Sequence, residues 1–166
     1  MDPDDMREMF LLFAIKRKIK LMSFLINDSN FNMEFRESHF LDVLENSAYD
    51  MAALLLREYF LKLNDEADKT INLLVNSFSE TNGMLESKSY ILKRYITKMT
   101  YEQATSFLDA VEKGVKNTSR GNILILSLNV IKSACLLIEL LEKVREQYTF
   151  LERRIEEIKN AIIIIA

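Results

Sequence analysis

The chain has 166 residues, 49% of them hydrophobic and 28% charged, and its formal net charge is −3. This balance is typical of a globular protein and excludes a disordered chain, and the lack of a basic excess argues against a general nucleic-acid binder. One proline and three glycines are too few for the turns of a β-rich protein. Composition therefore predicts an all-α fold, and the length predicts a single helical domain over 1–166.

The first four predicted helices follow apolar residues that repeat at intervals of three and four. Helix one runs from about Pro3 to Ile26, with Asp2 as its N-cap, and helix two from about Ser38 to Leu63. Helix three covers 66–80 and is ended by the Asn-Gly pair at 82–83, because this pair readily adopts the left-handed conformation. Helix four covers 84–98.

The fifth predicted helix begins at Thr100 and ends near 114–122. Thr100 and Gln103 fit a capping box, in which the hydroxyl and the side-chain amide each satisfy a free N–H group at the helix start.

The sixth predicted element is the longest, because 120–166 contains no glycine after Gly121 and no proline. Its first part, about 122–141, is apolar on nearly every face. We expect it to be a central helix around which a bundle of five to seven amphipathic helices packs. It is then predicted to continue without interruption as a long C-terminal helix that is apolar on one side.

That apolar side is a heptad pattern, which we call the seam. The seam consists of Leu137, Leu141, Val144, Tyr148, Leu151, Ile155, Ile158, Ile162 and Ile165. Two interpretations stay open: the seam packs against the first or second helix of the same chain, or it forms a coiled coil with a second chain. In either case we expect the isoleucine end to be covered, and Val144 is the candidate partner-binding residue.

Charges beside the seam disfavour one form of dimer. Arg154 and Lys159 occupy flanking heptad positions and would face each other across a parallel in-register homodimer. An antiparallel pairing, or a pairing within the chain, avoids this repulsion between cations.

Catalytic and cofactor motifs are missing from the sequence. His39 is the only histidine, and neither zinc-ligand spacing nor a phosphate-binding loop is present. A Ser-His-Asp triad would have to use His39, which its neighbours in RESHF do not support. We therefore predict a non-enzymatic protein with no catalytic residue, no cofactor and no metal.

Cysteine usage and the N-terminal residues bear on location. Cys135 is the only cysteine and excludes an internal disulfide, while MDPDDMREMF lacks the basic region of a signal peptide. A cytoplasmic, reducing location is expected. Cys135 lies in an apolar run and is expected to be a buried, unreactive small hydrophobe.

A membrane is not an expected partner. The basic cluster KRKIK at 16–20 follows acidic residues and is expected to be a solvated face. The run NILILSLNVIKSACLLIELL at 122–141 has the length of a membrane span but carries Asn129, Lys132 and Glu139. A buried central helix explains this run better.

Several runs resemble known helical families. MREMFLLFAIKRK resembles the first helix of the Bcl family of apoptosis regulators, and VLENSAYDMAALL resembles the helix that fills its groove. FLDAVEKGVKNTSRGN resembles the join before the family's central helix, although Asn117 is followed by Thr-Ser-Arg-Gly where the family has Asn-Trp-Gly-Arg. HFLDVLENSAYDMAALLLREY also resembles the rhythm of degenerate ankyrin repeats, although the repeat's turn glycines are missing.

The expected function is an intracellular protein-interaction module that binds a partner helix or protein surface. The Bcl resemblance implies an alternative, a divergent viral-type regulator of host apoptosis or signalling. The seam implies another, a structural homo-oligomer such as a homodimer.

Overall fold

The computed structural model describes residues 3–16, 20, 37–59, 66–79, 84–120 and 128–165. These ranges contain eight α-helices, two short 3₁₀ turns and no strand, so the predicted all-α class is confirmed. Contacts between residues group the chain into two compact units, Met1–Glu66 (unit 1) and Ala67–Ala166 (unit 2). The single domain over 1–166 stays a prediction.

The helices are numbered in chain order. Unit 1 contains α1 (Pro3–Ile15), α2 (Glu37–Glu45) and α3 (Tyr49–Tyr59). Unit 2 contains α4 (Ala67–Ser77), α5 (Leu85–Tyr95), α6 (Tyr101–Arg120), α7 (Leu128–Gln147) and α8 (Glu152–Ile165), with 3₁₀ turns at Ile96–Lys98 and Thr149–Leu151. The helices predicted over 66–80 and 84–98, and the helix start at Thr100, agree closely with α4, α5 and α6. The end of the predicted first helix, at 21–26, and the Asn-Gly pair at 82–83 lie outside the described residues.

In unit 1, the predicted second helix is two helices. Ser47 is in the left-handed conformation, with φ at 58°, and its N–H donates to Leu44 O at 2.9 Å. The N–H of Ala48 donates to Val43 O at 3.2 Å, which completes a Schellman motif and ends α2. VLENSAYDMAALL, the run that resembles the Bcl groove-filling helix, is therefore not one helix.

The interior of unit 1 is dominated by α3. Six successive residues, Met51 to Leu56, are buried, and six successive positions cover the whole circumference of a helix. α2 packs against both α3 and α1, and Phe10 of α1 is buried. The sequence predicted that a helix enclosed on every side would lie at 122–141. Among the described helices, α3 is enclosed in this way.

Unit 2 is built from packed helix pairs. α4 packs against α5 and α6, α5 packs against α7, and α8 packs against both α6 and α7. The large apolar side chains buried in this unit include Ile71, Leu74, Phe78, Ile91, Leu92, Tyr95, Phe107, Leu108, Leu140 and Leu141. Phe78 and Phe107 meet edge to face, with ring centroids 5.1 Å apart.

The central position predicted for 122–141 is not confirmed. Leu136, Leu137 and Ile138 are only half-buried, and α7 becomes fully buried at Leu140. Cys135 is exposed, so the expectation of a buried cysteine is wrong. The side chains of 121–131 lie outside the described set.

The C-terminal pattern is interrupted rather than continuous. Tyr148 has φ −129° and ψ 77°, outside the helical region, and the following 3₁₀ turn leads into α8. α8 turns back along α7, as the ion pair between Lys159 and Glu142 shows. The seam therefore packs within unit 2, where α8 lies on α6 and α7. Its buried members are Leu141, Val144, Leu151, Ile155, Ile158 and Ile162.

The cations beside the seam also find partners inside unit 2. Arg154 binds Asp109 and Glu112 of α6, and Lys159 binds Glu142 of α7 together with Glu156. Arg154 and Lys159, the two cations expected to repel each other in a parallel homodimer, are therefore paired with carboxylates of the same unit. The predicted cover of the isoleucine end holds for Ile162, whereas Ile163 and Ile164 are exposed.

The pair between Lys159 and Glu142 predicts a pH dependence of stability. The hydrogen bond from Lys159 lowers the pKa of the Glu142 carboxyl. Because this pKa is lowered in the folded state, the pair stabilises fully above the ordinary carboxyl pKa of about 4.3, and this stabilisation is lost as the pH falls through the lowered pKa. Lys159→Met should therefore make the loss of unfolding free energy with falling pH shallower.

Urea unfolding at a series of pH values measures this effect. Lys113→Met is the control, because the Lys113 side chain is exposed and forms no ion pair within the described ranges. Its stability curve should run parallel to that of the wild type. A Lys159→Met curve that is also parallel would contradict the assignment.

Lys88 of α5 is a charged side chain in the interior of unit 2, only 2% exposed. Its Nζ donates to Ser77 O at 3.0 Å, at the C-terminal end of α4, and lies 6.0 Å from the centroid of the Phe78 ring. Carbonyl groups at a helix C-terminus lack partners within the helix and favour a cation. Lys88 therefore caps α4 from a neighbouring helix.

Lys88→Met keeps an apolar stem of similar length and removes the ammonium group. We expect it to lower the unfolding free energy by about 1–3 kcal/mol, because the Ser77 carbonyl loses this buried donor. Denaturant unfolding measures the change. Lys93→Met on the same helix, at a partly exposed position, should cost clearly less, and equal losses in the two variants would argue against the capping role.

Candidate functional site

Two connections of unit 2 are held side by side by hydrogen bonds. Tyr148 Oη donates to Met99 O at 2.7 Å. Gln147 Nε2 donates to both Thr97 O and Met99 O at 3.3 Å. The end of α7 is thus hydrogen-bonded to the turn between α5 and α6. The accepting carbonyl groups of this turn are not engaged in helical hydrogen bonds.

The start of α6 is fixed by the predicted capping box, which is confirmed. The N–H of Thr100 donates to Gln103 Oε1 at 3.0 Å, and the N–H of Gln103 donates to Thr100 Oγ1 at 3.2 Å. Gln103 Nε2 also donates to Oδ1 of Asp68 at 3.2 Å and to Oδ1 of Asn72 at 3.3 Å. Tyr101, the first residue of α6, therefore projects from an anchored backbone.

Three aromatic side chains lie together on these connections. We call Tyr101, Tyr148 and Phe150 the aromatic cluster. The ring centroid of Tyr101 is 5.1 Å from that of Phe150 and 6.0 Å from that of Tyr148, and Tyr148 and Phe150 are also 6.0 Å apart. Phe150 is 68% exposed and Tyr101 49% exposed. The cluster presents aromatic surface to solvent, of the kind that is enriched at protein interfaces.

The charges next to the cluster differ in how they are paired. Glu102 follows Tyr101, Glu146 precedes Tyr148 by two positions, and both side chains are exposed. Within the described residues neither carboxylate forms an ion pair or a side-chain hydrogen bond.

The nearby cations are engaged. Arg145 binds Glu142 at 2.7 Å and Glu152 at 3.2 Å, and the charge of Glu142 is the main cause of the raised pKa of Arg145. Arg153 lies 3.7 Å from Glu157, and Lys98 also has a partner within the chain. Of the charged residues named here, the two that form no ion pair, Glu102 and Glu146, are acidic.

A second candidate is a shallow groove of about 360 Å³ between α6 and α8. Its walls include Val115, Lys116, Arg154 and Ile158. Hydrogen bonds from Lys116 and Arg154 lower the pKa of Glu112, so the charges in this groove already neutralise one another. The groove offers a ligand little beyond a small apolar strip.

The residues singled out from the sequence are not brought together at a site. Val144, the candidate partner-binding residue, is 1% exposed and has no side-chain surface to offer a partner in this conformation. His39 is buried at the start of α2. In the described ranges, no group of three or more His, Cys, Asp or Glu side chains is placed to hold a metal.

None of the described helices combines the length and the hydropathy that crossing a membrane requires. The beginning of the run 122–141 lies outside these residues.

Comparisons with known proteins give no relative. No protein-family model matches the chain, and neither a curated protein nor a solved structure matches it. The resemblances to the Bcl family and to ankyrin repeats therefore rest on the quoted sequence runs alone.

Sequence reasoning missed the aromatic cluster. Tyr148 fits the seam, so its spacing predicts an interior position. Tyr101 lies 47 positions earlier, so spacing along the sequence does not place it beside Tyr148. Phe150 was the available signal, because it falls outside the seam on the side occupied by charged residues.

Proposed function

We propose that the protein is a non-enzymatic interaction module and that the aromatic cluster is the surface that binds its partner protein. The supporting observation is the exposure of Phe150 and Tyr101 on connections held by hydrogen bonds. A phenylalanine that is 68% exposed buries little surface in the isolated chain. Covered by a partner, such a side chain would contribute about 1.5–3 kcal/mol.

The backbone beneath the cluster supports the same proposal. Gln147 and Tyr148 hold the two connections together, and Gln103 anchors the start of α6. Aromatic groups held in place before binding lose little conformational entropy when a partner arrives. Tyrosine is also among the residues that most often dominate binding energy at protein interfaces.

Phe150→Ser tests the proposal. We expect the variant to fold normally, because the side chain is mostly exposed, and to lose partner proteins that the wild type retains in affinity purification from its native cells. For a partner then purified, the Kd should rise by at least about ten-fold, as expected for an interface hot spot. Calorimetric titration measures this change.

Ile164→Ser is the matched control, because it removes an exposed apolar side chain from α8 outside the cluster. It should retain the same partners with an unchanged Kd. Partners that survive Phe150→Ser and are lost with Ile164→Ser would place the binding surface at the C-terminal isoleucines instead. Retention of every partner by both variants would contradict the proposal.

The two alternative functions, a homo-oligomer and a viral-type regulator, differ in how well they agree with the fold. A homo-oligomer built on the seam would require a second copy to displace α6 and α7 from the buried isoleucines, so we do not favour it. A viral-type regulator of host apoptosis would be a special case of an interaction module, and it stays a hypothesis. A cytoplasmic location and the absence of a nucleic-acid partner are parts of the proposal that rest on composition.

A further inference from the structure

We propose that the aromatic cluster recognises a basic segment of its partner, one that presents arginine or lysine side chains to the rings. This inference rests on the proposed function and names the chemistry of the partner. It is carried by the charges beside the cluster and by the arrangement of the rings.

The charges favour a cationic partner. Glu102 and Glu146 are exposed and unpaired within the described residues, whereas Arg145 lies 2.7 Å from Glu142 and Arg153 lies 3.7 Å from Glu157. These two carboxylates can pair with a basic segment without breaking an existing ion pair. An acidic segment would be repelled by both carboxylates, or would have to compete for arginines that are already paired.

The ring geometry also suits a cation. Centroid distances of 5.1 to 6.0 Å show that the three rings pack against one another. Phe150 and Tyr101 stay 68% and 49% exposed, and an aromatic face attracts a guanidinium or ammonium group. The chain itself contains such a contact, since Arg94 Cζ lies 5.3 Å from the centroid of the Tyr90 ring.

Selection from a random peptide display library tests the inference. Peptides are selected on the wild-type protein and depleted on Phe150→Ser, so that those remaining depend on the cluster. We expect these peptides to be enriched in arginine and lysine. A synthetic copy of one of them should bind more weakly as NaCl is raised from about 50 to about 500 mM.

Charge variants then examine the two carboxylates. Glu102→Gln combined with Glu146→Gln should weaken binding of the synthetic peptide by about three- to ten-fold. Glu86→Gln is the control, because it also removes a negative charge but lies in the first turn of α5, about 14 Å along that helix from the end that leads to the cluster. It should leave the Kd unchanged.

The outcomes separate the two proposals. Cluster-dependent peptides that are neutral or acidic would overturn the inference and leave the docking function standing. The same holds for basic peptides whose Kd is unaffected by the two glutamine substitutions. A selection in which no peptide depends on Phe150 would contradict both proposals.

Discussion

Ile155→Ala is expected to lower the unfolding free energy by about 2–5 kcal/mol, the range measured for removing a large aliphatic side chain from a protein core. Ile155 is 0% exposed, in the second turn of α8. α8 packs on both α6 and α7, so the cavity is enclosed by two neighbouring helices and cannot readily collapse. Denaturant unfolding followed by circular dichroism measures the loss.

The same helix supplies the control. Ile164 is 85% exposed, so Ile164→Ala should change the unfolding free energy very little. Sedimentation of both variants separates packing within the chain from packing between chains. If Ile155→Ala left stability unchanged but converted a dimer to a monomer, the seam would belong to an interface with a second copy.

Gly114→Ala is the second variant with a large expected effect, about 1–3 kcal/mol of lost unfolding free energy. A Cβ at position 114 would lie 2.6 Å from the carbonyl oxygen of Phe78 and 3.8 Å from Cα of Ser79. Both are backbone atoms, so no side-chain rotation relieves the clash, and α6 must move away from the end of α4. This cost outweighs the roughly 1 kcal/mol by which alanine is preferred to glycine inside a helix.

Ser106→Ala, at an exposed position of the same helix, shows the effect of propensity alone. It should be neutral or slightly stabilising. If Gly114→Ala behaved in the same way, the close approach of α6 to Phe78 would not exist in solution.

Local signals in the sequence predicted local structure well. The capping box at Thr100 and Gln103 needs only residues three positions apart, and it is present as predicted. Gly114 shows the limit of such signals. The fifth helix was predicted to end near 114–122 and α6 does end there, at Arg120, but no local signal showed that Gly114 makes close contact with the end of α4.

Helix breaks were harder to predict, because neither of those at Ser47 and Tyr148 contains glycine or proline. Serine in the left-handed conformation is uncommon, and the contacts around it must supply the energy that holds it there. Periodicity correctly identified the apolar face of the C-terminal helix. It could not show that the chain reverses at Tyr148 and covers that face itself.

The candidate site depends on such a reversal. Tyr101 and Tyr148 are brought together only when α7 ends beside the turn that precedes α6. Spacing along the sequence contains no information about that juxtaposition. Only the position of Phe150, outside the seam, could have been noticed beforehand.

The contacts of the Gln103 side chain restrict which residue can occupy position 103. Glutamine and glutamate would serve equally well as the third residue of a capping box. The Gln103 amide, however, also donates to the acceptor oxygens of Asp68 and Asn72, and a carboxylate would face those oxygens without a proton to give. The capping box alone would allow glutamine or glutamate at position 103, but the contacts with α4 allow only glutamine.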